Sequence, residues 1–301
     1  MSYKNFEELK SNILSRGKKI SCAIVAADDT HTLEAVMRAY TDGLILPVLI
    51  GNKTIIKEYL DNTKYVGTDI KIYDENDQDA ALNLAIEMIH TGDVQCVMKG
   101  LIKTDKFMGA ILKKDNHLRT GKMVSMLSFR EIPNYHKIIA FTDTGICPHP
   151  TLEQKKEIIV NAVTIMNKMG INNPKVAVLA AVETPNYKMP ESIDAEELKR
   201  MNQEGEINDC IVEGPISLDL ALSKEAADIK GFDSQVAGDA DLLVFPDLAS
   251  ANITTKMIAH ITKTPAGVLI LGTKVPAIVC SRSASVETKY LCITLAAAND
   301  I

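Results

Sequence analysis

The stretch Ile20-Ser21-Cys22-Ala23-Ile24-Val25-Ala26, the segment Thr30 to Thr41 and the stretch Leu44-Ile45-Leu46-Pro47-Val48-Leu49-Ile50 set the plan of the chain. The outer two are short, nearly continuous apolar runs and read as strands buried on both faces. The segment between them reads as a helix capped near Thr30. Strand and helix then keep alternating. Gly51-Asn52 ends the second strand, a helix runs through Ile55, Ile56 and Tyr59, and strand Ile70 to Tyr73, helix Asp79 to His90 and strand Val94 to Met98 follow. A short amphipathic helix with Phe6, Leu9 and Ile13 on one face leads in. Such alternation predicts an α/β fold, a mostly parallel sheet with helices on both faces, which binds ligands beyond the carboxyl ends of its strands.

Further along, a helix runs from Thr104 to about Lys113, with Thr104-Asp105 as its expected cap. Strand Lys137 to Phe141 leads to Thr142-Asp143-Thr144-Gly145 and a helix from Leu152 to Met169 capped by Thr151. Strand Lys175 to Ala181 precedes an acidic segment, Glu183 to Asp209, that holds a solvated helix, Asp194 to Gln203. Strand Asp241 to Phe245 runs into a helix carrying Asn252 and Lys256 four residues apart, on one face. Last comes an apolar run, Val275 to Cys280, that stops at Ser281; Val286, Tyr290, Ile293 and Ala297 then recur at helical spacing. Strand, tight turn and helix are the reading. Ser283 or Ser285 caps the helix, and its free N–H groups, its dipole and Arg282 make a turn that favours an anion, above all phosphate.

Composition narrows the function classes. At 301 residues and 46% hydrophobic content the chain can bury the core of one large or two medium domains. A formal charge of −6 argues against a basic nucleic-acid surface. Locally the balance reverses: Lys99, Lys103, Lys106, Lys113, Lys114, Arg119 and Lys122 stand against Asp105 and Asp115. A cationic patch of this kind steers and holds a small polyanion. Cys22, Cys96, Cys147, Cys210, Cys280 and Cys292 show neither a Cys-x-x-Cys pair nor ligand spacing with histidine, so reduced thiols in a cytoplasmic protein are expected. No signal-peptide pattern opens the chain, and the longest apolar run is broken by Gly272, Thr273, Lys274 and Pro276, so no membrane segment is expected. Asp239, Asp241 and Asp247 straddle one strand and point to its different ends, so no metal site is expected. His149, between two prolines, reads as a loop residue.

Several separated motifs agree in order with one family. Ser281-Arg282-x-x-Ser285-x-Glu287-Thr288-Lys289, entering a helix that ends in Ala296-Ala297-Ala298, resembles the C-terminal signature of the phosphate acetyl/butyryltransferases. Met98-Lys99-Gly100-Leu101-Ile102-Lys103-Thr104 followed by Leu118-Arg119-Thr120-Gly121-Lys122-Met123-Val124-Ser125 resembles the butyryltransferase branch. Phe141-x-Asp143-x-Gly145, Gly214-Pro215-x-x-x-Asp219 and Pro246-Asp247-Leu248-x-x-x-Asn252-Ile253-x-x-Lys256 fit as well. The resemblance implies reversible transfer of a short-chain acyl group, butyryl or branched, between coenzyme A and phosphate. CoA, acyl-CoA and phosphate would be its small-molecule partners, with no tightly bound cofactor, no metal, no nucleic acid, no membrane and a homo-oligomeric assembly.

The resemblance further implies a two-domain fold like that of the isocitrate/isopropylmalate dehydrogenases. Its first domain would span 1–128 plus 276–301, its second 129–275, with the active site in the cleft between them. Ser281, Arg282 and Glu287 are the expected catalytic residues; Lys99, Gly100, Lys103, Thr104, Arg119, Ser125, Asp143, Asn252 and Lys256 are expected to bind phosphate and CoA. Two departures stand out. Thr288 occupies the position of the aspartate that serves as base in the acetyltransferase branch, and Ala284 stands where relatives often carry aspartate. Thiol activation therefore falls either to a re-aimed Glu287 or to the electrostatics of Arg282 and the helix N-terminus. A non-catalytic acyl-CoA-binding protein and an NAD-dependent dehydrogenase of the same architecture are the alternatives.

Overall fold

The computed structural model describes residues 2–63, 70–281 and 284–298. In chain order its elements are α1 (Phe6–Ser15), β1 (Ile20–Val25), α2 (Thr30–Thr41), β2 (Ile45–Gly51), α3 (Lys53–Asp61), β3 (Lys71–Asp74), α4 (Gln78–Thr91), β4 (Cys96–Lys99), α5 (Thr104–Leu112), β5 (Ser125–Arg130) and β6 (Ile139–Thr142). There follow α6 (Leu152–Lys168), β7 (Lys175–Leu179), α7 (Pro190–Gln203), β8 (Ile211–Ile216), α8 (Leu218–Leu222), α9 (Lys224–Lys230), β9 (Leu242–Val244), α10 (Leu248–Thr262), β10 (Ala266–Leu271), β11 (Ala277–Ile278) and α11 (Val286–Ala297). The expected α/β alternation is present, with three strands that the apolar pattern alone does not mark: β5, β8 and β10. β5 carries polar Ser125, Ser128 and Arg130 along its length, β8 is interrupted by Gly214-Pro215, and β10 lies inside an apolar run read only as too broken to cross a membrane.

The chain divides into two compact units, residues 9–122 with 265–301 and residues 1–8 with 123–264. In the first, the strand order is β3-β2-β1-β4-β11-β10. Its pairs are parallel except β10 with β11. In the second, the order is β5-β6-β9-β7-β8, parallel except β5 with β6. Helices begin where the caps are. Asp29, rather than Thr30, accepts from the Thr32 amide to start α2; Asn52 caps α3, Asp77 α4, and Thr151 with Gln154 forms a reciprocal capping box on α6.

In the first unit, α11 is buried from Lys289 to Ala297 and packs against β10 and α2. Over that stretch every residue faces protein, in keeping with a sequence that is apolar almost all round. Gly267 permits the approach, because a Cβ there would meet Leu295 Cδ1 at 2.4 Å. In the second unit the core gathers Ile139, Phe141, Leu179, Ile216, Val236, Leu243 and Phe245 between sheet and helices. One end of that sheet is closed by charge. Lys137 Nζ lies 2.7 Å from both Asp239 and Asp241, while Lys175 and His136 also reach Asp239. Asp247 caps α10 instead.

Candidate active site

In the unit that holds α11, two segments leave the sheet at the same end. β4 and β11 are parallel neighbours, with Val97 opposite Ala277 and Met98 opposite Ile278. Both carboxyl ends therefore open side by side, one into Lys99-Gly100-Leu101-Ile102-Lys103-Thr104 and the other into the turn that begins at Ser281.

Lys99, the last residue of β4, is buried, and its ammonium donates to the carbonyls of Ile102 (2.7 Å) and Gly100 (3.2 Å). It thus shapes the loop leading to α5. Gly100 lies against the end of β1; its amide donates to Val25 O at 2.8 Å, and a Cβ there would fall 2.1 Å from Ala26 O. Only glycine fits so close to a neighbouring backbone. Lys103 and Thr104 are exposed at the start of α5, a helix whose N-terminus has no side-chain cap. Uncapped amides and the positive end of a helix beside a lysine suit an anion. Arg119, exposed, pairs in a β-bridge with Thr273, and Thr120 and Lys274 complete the stitch through Gly272 O (3.0 Å) and Leu118 O (2.8 Å).

Across from this loop, Cys280 is buried and Ser281 exposed. The Ala284 amide donates to Ser281 O at 3.1 Å, closing the turn, and Ser285 caps α11 by accepting from the Thr288 amide at 3.2 Å. Arg282 and Ser283 lie outside the described residues. α11 is fastened to α2 at three places. Glu287 pairs with Arg38, whose guanidinium also sits 3.8 Å from the Tyr290 ring centroid. Lys289, only 3% exposed, reaches Thr32 Oγ1 at 3.0 Å and Asp29 Oδ1 at 3.4 Å. The Tyr290 hydroxyl donates to Asp42. Partial burial pushes the Asp29 carboxyl up, but hydrogen bonds from Thr32 and the nearby Lys289 ammonium outweigh it and hold it below the usual carboxylate range.

The second unit carries the remaining expected residues at the corresponding strand ends. β5 runs antiparallel to β6, so Ser125 at its start lies near Asp143 at the end of β6. Asp143 is almost fully buried and accepts four backbone amides: Met126 and Gly145 at 3.0 Å, Ile146 at 3.2 Å and Cys147 at 2.7 Å. Burial nonetheless raises its pKa. Ser125 Oγ is buried without a hydrogen bond. α10 begins beyond the parallel strand β9, its Leu248 amide donating to Pro148 O at 3.1 Å. Asn252 lies in its second turn, half-buried, and Lys256 one turn further, exposed.

Each unit thus carries its own set at strand ends: Lys99 to Thr104 leaves β4 and Ser281 follows the neighbouring β11 in one, while Ser125 begins β5, Asp143 follows β6 and α10 follows β9 in the other. Lys289 was missed by sequence reasoning, although it closes the Ser281-to-Lys289 motif. A lysine inside an apolar helix was the available signal, since lysine is seldom fully buried without a partner. Among the described residues no three histidine, cysteine or acidic side chains converge as metal ligands, and no helix is long and apolar enough to cross a membrane.

Comparison with known proteins fits these observations to one family. The family model described as phosphate acetyl/butaryl transferase matches residues 53–297. A phosphate acetyltransferase of Thermotoga maritima is 41% identical over 94% of this chain and 96% of its own length. A phosphate butyryltransferase of Clostridium acetobutylicum is 36% identical over 98% and 97%. The crystal structure of a branched-chain phosphotransacylase from Enterococcus faecalis V583 superposes with a TM-score of 0.79 at 29% identity, covering 93% of this chain and 99% of that one. With the family model spanning most of the sequence and relatives of both names aligning nearly end to end, the chain belongs to the phosphate acetyl/butaryl transferase family.

Proposed function

We propose that this protein catalyses reversible transfer of a short-chain acyl group between coenzyme A and inorganic phosphate: acyl-CoA plus phosphate gives acyl phosphate plus CoA. One observation carries the reading onto this chain. The adjacent, parallel carboxyl ends of β4 and β11 lead, one into the uncapped N-terminus of α5 with Lys103, the other into the Ser281 turn and α11. Both reactants are anions, and this is an anion-binding end of the sheet.

In the forward direction a phosphate oxygen attacks the thioester carbon, an oxyanion forms on the acyl oxygen, and the C–S bond breaks to release CoA thiolate, which takes up a proton. Ser281 donates a hydrogen bond to the oxyanion, and Arg282 neutralises it together with the phosphoryl oxygens. Donors of this kind supply about 2.7–4 kcal/mol of transition-state stabilisation. Lys99, Gly100, Lys103, Thr104 and Arg119 hold phosphate and the CoA phosphates, with Ser125, Asp143, Asn252 and Lys256 as further binding residues. Lys99, Gly100 and Asp143 act through the backbone they organise. A free thiol has a pKa near ~8.5, so in the reverse direction CoA needs help to ionise. The pairing of Glu287 with Arg38 favours an anchoring role for that carboxylate, leaving thiol activation to Arg282 and the α11 N-terminus.

The test is phosphate-dependent release of free thiol from acetyl-, propionyl-, butyryl-, isobutyryl- and isovaleryl-CoA, with Arg282→Ala alongside. Release that requires phosphate and falls about a hundredfold in the variant is expected. Binding of CoA without release from any of the five would refute catalysis; near-normal turnover of Arg282→Ala would remove that residue from the mechanism.

A further inference from the structure

Two sulfurs flank the Ser281 turn. Cys280 is the residue immediately before it, and Cys292 lies in α11, the helix that follows. Their Sγ atoms are 3.4 Å apart; Cys280 is 5% exposed and Cys292 fully buried. The two thiols are not equivalent. The hydrogen bond with Cys292 lowers the Cys280 pKa, burial opposes it, and the ammonium groups of Lys289 and Lys99 lower it further. Cys292 is displaced the other way, by the same hydrogen bond and by burial. The Cys292 sulfur is also held in place, accepting from the Val268 amide at 3.1 Å. An attacking thiol of low pKa beside a resolving thiol is the arrangement that oxidises to a disulfide. Cys22 and Cys96 also face each other, across β1 and β4. Burial raises Cys96 well above its ordinary value, so Cys96 itself is a poor attacking thiol.

We propose that Cys280 and Cys292 form an oxidant-sensitive dithiol whose cross-linking disables the adjacent Ser281 turn. With hydrogen peroxide as oxidant, the Cys280 thiolate attacks one oxygen, the O–O bond breaks, and hydroxide leaves with Cys280 as a sulfenic acid. The Cys292 thiol, giving up its proton, then displaces water from that sulfur. The balance is two thiols and one peroxide to one disulfide and two waters. A disulfide is about 2.05 Å long, so the sulfurs close by about 1.3 Å. Cys292 is fixed by the helix and by Val268, so Cys280 supplies most of the movement and carries Ser281 with it. A displacement of about 1 Å at a catalytic donor costs about a hundredfold in rate.

The functional part rests on the acyl-transfer reading; the cross-link does not. The full-length reduced protein is treated with hydrogen peroxide and desalted. It is then divided between thiol titration, non-reducing peptide mapping and the phosphate-dependent release assay, with Cys280→Ala and Cys292→Ala each compared with its own untreated sample. The expected result is loss of two titratable thiols, a Cys280–Cys292 peptide, and at least a tenfold fall in turnover that dithiothreitol reverses. Cys280→Ala should resist peroxide, and Cys292→Ala should accumulate a sulfenic acid at Cys280 that dimedone traps. Absence of the Cys280–Cys292 peptide, or a linkage between other cysteines, overturns the site. A cross-linked enzyme with undiminished turnover overturns the switch. Untreated protein that never releases thiol would refute the acyl-transfer reading instead, while the mapped peptide still decides the dithiol.

Discussion

Replacing Gly100 by alanine should uncouple the β4 loop from the strand it leans on. The added Cβ would stand 2.1 Å from Ala26 O, 2.8 Å from Ala26 C and 2.9 Å from Val25 O, whereas ordinary contact begins at 3.4 Å. All three obstacles are backbone, so no side chain can swing aside, and the two segments must part by about 1.3 Å. That separation breaks the hydrogen bonds from Gly100 N to Val25 O (2.8 Å) and from Leu101 N to Ala26 O (2.7 Å). Each is worth about 1 kcal/mol, and forcing an extra carbon into a packed site costs about 1–3 kcal/mol, giving about 3–5 kcal/mol in all. The melting temperature should fall by about 10 °C. At a temperature where the variant is still folded, turnover should fall about a hundredfold, because Lys99 and the start of α5 move by about an ångström. Differential scanning calorimetry and the thiol-release assay on one preparation test both parts. A melting temperature within about 2 °C of the parent, with turnover within about threefold, would refute the packing account of this glycine.

Three further outcomes follow from the charge networks. Lys137→Met strips the buried Asp241 of its ammonium partner and should cost about 3–5 kcal/mol, whereas Asp239→Asn, in the half-exposed part of the network, should cost about 1 kcal/mol; comparable urea midpoints for the two would contradict this ranking. Partial burial raises the Asp239 carboxyl, but Lys137, Lys175 and His136 hold it well below its ordinary value. Its contribution is therefore complete above the unfolded pKa of about 4 and is lost as pH falls toward the folded value, so melting temperature should drop below about pH 4 more steeply in the parent than in Asp239→Asn. Glu287→Gln, which loosens the Arg38 anchor of α11, should cost about 1 kcal/mol and leave the pH profile of thiol release unmoved; a shifted profile would restore Glu287 as the base.

Periodicity made the α/β plan legible because most strands are buried on both faces and read as unbroken apolar runs. β5 was not legible for the opposite reason. Its Ser125, Ser128 and Arg130 are buried polar residues, and no local pattern distinguishes a buried polar strand from a loop. The caps at Thr151 and Ser285 were readable; at α2 the cap moved to the neighbouring aspartate, which is the stronger acceptor, and at α5, where Thr104-Asp105 was expected, no side chain caps the helix, because its N-cap position is Lys103, which has no acceptor to offer.

The site divides in the same way. The sequence alone determined that Ser281 begins a turn into a helix, that Lys99 to Thr104 runs from a strand end into a helix N-terminus, and that these motifs belong to one family. Local chemistry decides such features, since capping and dipole effects act within one turn of chain. Only the tertiary structure decided that β4 and β11 are parallel neighbours, so that these two motifs, nearly two hundred residues apart in the chain, open at the same end of one sheet. It alone occupied Glu287 with Arg38, gave Asp143 its four amides, buried Lys289 against Asp29 and Thr32, and set Cys280 beside Cys292. Strand order and long-range pairing arise from how whole elements pack, and a carboxylate or thiol takes its role from the partner that packing supplies.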